Sequence, residues 1–495
     1  MKRISIALAA TVTLCAGCRI KQPYSVPVAP VPAAYQNVPA NFQNATPTTT
    51  EAAKEWKQAT PADAQDKSKW WEVYGDAQLN ALEERVEVDN QSLKAAAARY
   101  AEAHALVLET RSQQKPTMAA GGDVARDRIS RNKGNPPTES NADYNDFTVG
   151  LSASWEPDLW GRIRTLVGAS VQQAQASAAD LENVRLSLHA ELAADYFALR
   201  SAENEAKVLH DSVQAYAKAL QMMQDRYDGG LASRVDVEQA RTQLEAASAQ
   251  EADLSESRTH AANAIAVLTG ELPENFKLAA EAHAMTPPEI PTGVPSELLE
   301  RRPDIAAEER RVALANSQIG LARAAYYPQV ILSGALGLES KSLGRWMSSP
   351  SRYWAVGPLL SETLFDGGRR RAGVAQAAAG YDESVANYRE QVLTAFQQVE
   401  DNLASLRILA EESARQQRAV ASALRAEQLA MHRYQGGLVT YLDVISTQNL
   451  RLQNERIAVG IERRRMQASV ALIRALGGGW RSNSLPRASV LTAGN

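Results

Sequence analysis

From Gly161 to Tyr227 the chain places its larger apolar side chains in steps of three and four. The closing third reads Leu199, Ala202, Ala206, Leu209, Val213, Tyr216, Leu220, Met223, Tyr227. That is the helical period, and only Gly168 interrupts the stretch, so the pattern predicts one helix on the order of 100 Å long. Upstream the spacing loosens to Leu181, Val184, Leu188, Leu192 and Tyr196, a stutter that locally untwists a supercoil. A second helix returns from Ser233 to Leu268 with Val237, Ala240, Leu244 and Ala247 on one face, and Gly229-Gly230-Leu231 closes the hairpin. Ahead of this pair, a helix is expected from Asp76 to Lys115, stopped by Pro116.

Between the helices the period changes to two. Phe147, Val149, Leu151, Ala153 and Trp155 alternate with Thr148, Gly150, Ser152, Ser154 and Glu156, and a weaker alternation runs from Met118 to Ile129. A strand of this length, apolar on one face and aromatic at both ends, suits the wall of a tilted membrane barrel; the edge of a soluble sheet is the plainer alternative.

The whole arrangement then recurs. The offset that carries Gly161 onto Gly368 also carries Leu199-Arg200 onto Leu406-Arg407 and Arg226-Tyr227-x-Gly229-Gly230-Leu231 onto Arg433-Tyr434-x-Gly436-Gly437-Leu438. Asp236 falls on Asp443 and Gly270 on Gly477, while a slightly larger offset aligns Arg99 with Arg311 and Pro116 with Pro328. The second first-helix is expected from Ser296 to Tyr327, with Pro303 in its opening turn. Second-copy strands are expected around Val330, Leu332, Leu336 and Leu338, and around Trp354, Val356, Pro358 and Leu360. In the second copy the long-helix stripe is more polar, through Ser413, Gln416 and Glu427. The chain divides accordingly into a first repeat (70–273), a Pro-rich linker (274–295), a second repeat (296–479) and a tail (480–495).

Composition narrows the class. Of 495 residues 45% are apolar but only 6% aromatic, the difference being largely alanine, so the helices approach closely and enclose no bulky interior. A net charge of −4 leaves no footprint for nucleic acid, and two cysteines cannot staple such a chain. Lys2 and Arg3, the short apolar run Ile4 to Leu14, and Ala16-Gly17-Cys18 read as an export signal over 1–17. Cys18 then resembles the acylated first residue of a bacterial lipoprotein, although Cys15 stands where such signals prefer leucine. Residues 18–69, rich in Pro, Ala and Thr, are expected to form an extended lipid-anchored tether. After removal of residues 1–17 no free thiol remains for catalysis. The six histidines are scattered, and no nucleotide, metal or nucleophile motif occurs, so neither enzymatic chemistry nor a cofactor is expected.

The Trp-Trp opening at Trp70-Trp71, the block Leu298 to Glu309 (LLERRPDIAAEE), the turn Leu364 to Arg371 (LFDGGRRR) and both RYxGGL turns resemble the TolC-like outer-membrane factor family, in its OprM/NodT-like lipoprotein branch. The resemblance covers Trp70 to Gly479. It implies an α+β fold: a trimeric, twelve-stranded transmembrane β-barrel continued by a twelve-helix periplasmic α-barrel, each chain an internal duplication. It implies an exit duct of a tripartite efflux pump, with a periplasmic adaptor (membrane fusion protein), an inner-membrane transporter of the RND type and outer-membrane lipid as partners. Exit ducts of type I protein-secretion or metal-export systems, and a non-conducting periplasmic coiled-coil scaffold, stand as alternatives. Adaptor docking is expected at Gly229, Gly230, Leu231, Gly436, Gly437 and Leu438. Asp443 and Asp236 are expected to ring the periplasmic aperture, though both also suit helix capping. Arg433 and Tyr434 are candidates for tethering it, and ordinary surface roles fit them equally.

Overall fold

The computed structural model describes residues 22–32, 34–36, 67–130, 143–279, 285–288, 290 and 297–493. The signal segment and Cys18 lie outside the described residues.

Each half of the chain is built on one very long helix. Helices α3 (Arg162–Asp228) and α7 (Arg369–Gln435), 67 residues each, follow Gly161 and Gly368, whose φ values of 86° and 93° turn the chain sharply out of the strands. They return as α4 (Arg234–Leu268) and α8 (Tyr441–Ala475), 35 residues each. The equal lengths carry the sequence duplication into the fold.

The first helix of each half departs from expectation, because it is broken. Instead of one helix from Asp76 to Lys115 there are α1 (Ala77–Asp89) and α2 (Gln91–Ser112); the second half has α5 (Leu298–Arg301) and α6 (Pro303–Ala324). Asn90 and Arg302 occupy the breaks with extended ψ of 124° and 122°. Asn90 caps α2 by accepting the Leu93 amide at 2.9 Å, and its Nδ2 donates to the carbonyl of Leu268, the last residue of α4, at 2.8 Å. Arg302 donates likewise to the carbonyl of Ala475, the last residue of α8, at 3.0 Å. A local cap and an otherwise unpaired helix-end carbonyl thus outweigh continuation of an alanine-rich helix.

Near the strands the helices lie side by side in the order α2, α3, α6, α7; farther away the order is α4, α3, α8, α7. The interior is concentrated at mid-height. There Trp71, Leu79, Leu82 and Val86 pack on Leu192, Tyr196, Ile265 and Met466, and in the second half Ile305 and Val312 pack on Val392, Phe396 and Val399. Each large apolar side chain so buried contributes about 1.5–3 kcal/mol. Between α3 and α6 the contact is alanine on alanine, Ala179 against Ala306 and Ala307.

The polar stripe of α7 has a structural reason. Ser413 donates to Glu462, Gln416 to the Asn454 side chain and carbonyl, and Glu427 pairs with Arg451, so α7 and α8 are joined by a polar ladder.

The described part of 18–69 is more fixed than a free tether. Tyr24 donates to Glu309 at 2.5 Å, Arg323 to Gln22 at 2.7 Å, the Gln36 amide to Glu400 at 2.7 Å, and Tyr35 is buried against the second-half core. Tyr24 and Tyr35 stand in a stretch whose Pro/Ala-rich composition reads as spacer, yet they hold it as a strap along α6 and α7. At the other end of the chain α9 (Ala488–Thr492) packs on α2 and α3, burying Leu491 against Val107 and Val171.

Four strands, β1 (Thr117–Arg128), β2 (Asp143–Trp155), β3 (Gln329–Ser340) and β4 (Arg352–Ser361), form one antiparallel sheet in chain order. Both outer strands, β1 and β4, have an edge with no partner among the described residues.

Candidate functional site

The register sorts the sheet into two chemically different faces. Gly122 pairs with Val149, which pairs with Leu338; Ala120, Leu151, Leu336 and Trp354 form another row; Met118, Ala153, Gly334 and Val356 form a third. Directly paired residues share a face, so one side of the sheet carries an apolar band through these rows, bordered by Arg352 at the end of the first. It is not covered by the rest of the chain: Trp354 is 77% and Val356 76% exposed. The opposite face carries the rows Thr117–Ser154–Ser333–Gly357, Ala119–Ser152–Ala335–Ala355 and Gly121–Gly150–Gly337–Tyr353. The Tyr353 ring lies over the two glycines beside it, and a Cβ on Gly150 would stand 2.7 Å from its hydroxyl. Among the described residues no helix is long and apolar enough to cross a membrane, which leaves the sheet as the described element that suits one.

At the far end of the helices the two RYxGGL turns have matching geometry. The Leu231 amide donates to the Arg226 carbonyl at 2.7 Å and that of Leu438 to Arg433 at 2.9 Å, the bonds that close a helix through a left-handed residue. Only the second glycine of each pair needs to be glycine: Gly230 and Gly437 have φ of 71° and 73°, whereas Gly229 and Gly436 are at −83° and −80°. Leu231 and Leu438 are exposed to solvent.

Asp236 and Asp443 stand one turn beyond. Oδ2 of Asp236 accepts the Ser233 amide at 3.0 Å and hydroxyl at 2.8 Å; Asp443 takes the same two bonds from Thr440 at 3.0 and 2.8 Å. Both carboxylates therefore cap helices through one oxygen, and their second oxygen has no described bond.

Tyr434 and Arg433 separate. Arg433 is exposed, whereas Tyr434 is buried between the two hairpins of one chain, its hydroxyl 3.2 Å from Met223 Sδ and its ring 5.4 Å from that of Tyr441. Arg226 lies over the same ring at 5.2 Å, and Ala219, Val237, Val444 and Ile445 complete the cluster. Met223 belongs to the three-four stripe and Arg226 to the repeated Arg-Tyr pair, whereas Tyr441 falls in no sequence pattern and joins them only through the fold.

A second polar cluster sits at mid-height. His189, almost wholly buried, bonds Glu83 through Nδ1 at 2.6 Å and Glu87 through Nε2 at 2.9 Å, and Arg185 pairs with Glu87 at 3.0 Å. Trp71 stacks on the imidazole with ring centres 4.4 Å apart. Burial pushes the Glu83 carboxyl up to about 7, partly offset by the His189 bond. For His189 burial acts downward, but the bonds to Glu83 and Glu87 outweigh it and raise the imidazole above its ordinary value. Glu83 and Glu87 lie four positions apart on one face of α1, and the histidine that joins them stands about a hundred positions later in the chain. Beside it the buried Arg200 donates to Glu203 at 2.6 Å and to the Ala279 carbonyl at 3.0 Å. No group of histidine, cysteine and acidic residues fit to hold a metal occurs among the described residues.

The sequence profile of the outer membrane efflux protein family matches residues 82–271 and 294–478. The chain belongs to this family. Its match in two segments follows the two halves of the fold. A pyoverdine export outer membrane protein, OpmQ of Pseudomonas aeruginosa, is 31% identical over 439 residues, covering 87% of this chain and 92% of that protein. Among solved structures, the Campylobacter jejuni CmeC outer membrane channel superposes with a TM-score of 0.86 at 24% identity, over 95% of this chain and 97% of that one. The open-state MtrE channel of Neisseria gonorrhoeae gives 0.77 at 27% identity, over 93% and 98%. The fold is therefore that of the family's channels, and the protein is an outer-membrane component of efflux: its sheet lies in the barrel wall and its helices form the long periplasmic extension.

Proposed function

We propose that the chain works as a homotrimer, the passive exit duct of a tripartite efflux pump that conducts drugs or other small molecules out of the cell. The observation that carries this reading is the four-stranded sheet with an apolar outer face and two open edges. Four strands cannot close a transmembrane barrel, whereas three copies supply twelve. Twelve helices spaced about 9 Å apart at each level form a ring about 35 Å in diameter between opposite axes, which leaves an open bore about 25 Å across once the helices' own thickness of about 10 Å is subtracted. The remaining partners are a periplasmic adaptor and an inner-membrane transporter of the RND type, which supplies the energy.

Several features support roles for particular residues. The strap meets Arg323 close to the start of β3, so an acyl group on Cys18, only four positions before Gln22, reaches the membrane level without strain. Exposed Leu231 and Leu438 at the glycine turns, above a groove of about 620 Å³ lined by Val235, Gln239, Leu442 and Ile445, offer an adaptor hairpin an apolar seat. In the trimer Asp443, with Asp236 outside it, converges on the axis, and the unbonded oxygens narrow the entrance electrostatically. The Tyr434 cluster ties the two hairpins of each chain and holds that entrance closed, with Arg433 exposed toward the neighbouring copy.

Planar-bilayer recording tests the reading. The purified protein should run as a trimer in mild detergent and produce discrete current steps; a monodisperse monomer without conductance would overturn it.

A further inference from the structure

The barrel wall continues past its apolar band at the loop end, and there the two faces carry opposite charge. Following the outward face along β1 leads from Val124 to Arg126 and Arg128; along β4 it leads from Trp354 to Arg352. Phe147 and Trp346, with rings 6.4 Å apart, and Trp354 on the same outward face supply an aromatic girdle at the membrane boundary; Arg126 and Arg128 lie beyond Phe147, and Arg352 follows Trp354 on the Val149 row, among the girdle. The inward face at the same end holds Asp123, Asp127, Asp146 and Glu339. Acids predominate on the bore side, where Lys341 rests over the Tyr144 ring at 5.6 Å, and three guanidinium groups with Asp143 face the membrane surface.

The outward arginines are nearly unneutralised. Arg128 lies 3.6 Å from Asp143, with both side chains largely exposed, so that pair is weak. Arg126 stands opposite Asn145, and neither it nor Arg352 has an ion pair among the described residues. All three are exposed, and they sit on β1 and β4, the two edge strands. When copies close into a barrel, β4 of one meets β1 of the next about 4.8 Å away. Both edges carry their outward arginines at the loop end, so closure brings Arg352 of one copy to the same end of the seam as Arg126 and Arg128 of its neighbour. This step rests on the trimeric-barrel reading above.

A guanidinium fork pairs bidentately with phosphate, and at the membrane boundary exposure of arginine to the lipid side costs little. The helices extend into the periplasm, so the loop end lies in the outer leaflet, whose lipid is a phosphorylated glycolipid. We propose that Arg126, Arg128 and Arg352 form a phosphate-binding arc at each seam, occupied by the glucosamine phosphates of lipopolysaccharide. The site would make that lipid a clamp between copies.

The test uses the full trimer in detergent, with lipid A, lipid A stripped of its phosphates, and phosphatidylglycerol as probes, read by native mass spectrometry and by competition. Lipid A should bind at the seams, and Arg126→Gln combined with Arg352→Gln should weaken it at least tenfold. Asp123→Asn, on the bore side of the same strand, should leave binding unchanged. Equal binding of the dephosphorylated lipid, or full affinity in the arginine variant, overturns the proposal, and equally tight phosphatidylglycerol overturns the assignment to lipopolysaccharide. Size and conductance of the same samples separate the two levels: trimeric, conducting arginine variants that keep lipid A defeat only the site, whereas a wild type that never trimerises defeats the barrel reading and the site with it.

Discussion

Replacing Tyr434 by alanine removes the side chain that fills the space between the two hairpins at the tip. The ring is buried against Met223, Tyr441, Val237 and Ala240, and Arg226 rests on it. Truncating a buried aromatic to alanine costs about 3–5 kcal/mol, and a site near a helix end that can partly collapse falls toward the lower figure. Its hydroxyl contributes little, since a thioether sulfur is a weak acceptor and a net hydrogen bond to it is worth under about 1 kcal/mol. If opening the entrance requires the hairpins to part, a loss of about 3 kcal/mol shifts each chain's equilibrium toward the open form by about a hundredfold. Tyr434→Phe keeps the packing and the cation–π contact and should shift it less than tenfold. Single-channel recording without adaptor reads the open fraction, and a melting curve for each variant checks that the helices above the tip are intact. Should Phe open the channel as far as Ala, the bond and not the packing holds the tip. Should Ala leave the open fraction at the wild-type level, the cluster has no part in gating.

Asp443 carries two roles that substitution can divide. Asp443→Asn keeps an acceptor for Thr440 but removes the charge, and should weaken cation block and raise conductance; Asp443→Ala should do the same and also cost about 1 kcal/mol of helix stability. A loss of cation block in Ala but not in Asn would assign the effect to the cap. At the turns, Gly230→Ala should lower the melting temperature because its φ is 71°, while Gly229→Ala should be near neutral; equal melts would disprove the turn assignment. For the buried cluster both raised groups act in one direction. Glu83 holds a proton that the unfolded carboxyl gives up, so its contribution falls as pH rises through about 4.5 to 7, and that of His189, fully present below about 6.5, falls as pH rises through its elevated value. Glu87, held low by the His189 bond, acts oppositely and only in acid. The wild type's melting advantage over His189→Gln should therefore shrink between pH 6 and pH 9, and a constant gap would show that the histidine is neutral throughout. In the wall, a Cβ at Gly150 would press on the Tyr353 hydroxyl at 2.7 Å and on the Leu336 carbonyl at 2.8 Å, so Gly150→Ala should displace the ring, disturb the β2–β3 pairing and lower both conductance and melting temperature; unchanged values of both would refute the recess.

The periodic elements were legible because their cause is local. A three-four stripe predicts α3 to within a residue, and strict alternation predicts β2 with its apolar face. What escaped has its cause elsewhere in the chain. Asn90 looks like a tolerated residue inside a helix until the Leu268 carbonyl, far along the sequence, arrives to claim its amide. The strap reads as spacer because Tyr24 and Tyr35 find Glu309 and the second-half core only after folding. Ser413, Gln416 and Glu427 spoil an apolar stripe yet match Glu462, Asn454 and Arg451 across the hairpin, a complementarity that periodicity does not register. At the tip the glycine turns and their aspartates were visible as repeats, but burial of Tyr434 and exposure of Arg433, adjacent in sequence, follow from helix phase against a partner.

The strap and the tail fold back onto matching places, α6 in one half and α2 in the other. Leu491 is buried near Val171, and the glycine turn at Gly229 lies about 80 Å farther along α3. Neither described chain end approaches the glycine turns. An affinity handle or fluorescent label attached beyond α9 is expected beside the base of the barrel, away from the turns where we propose that an adaptor docks, so stoichiometry can be measured on labelled complexes without disturbing that joint.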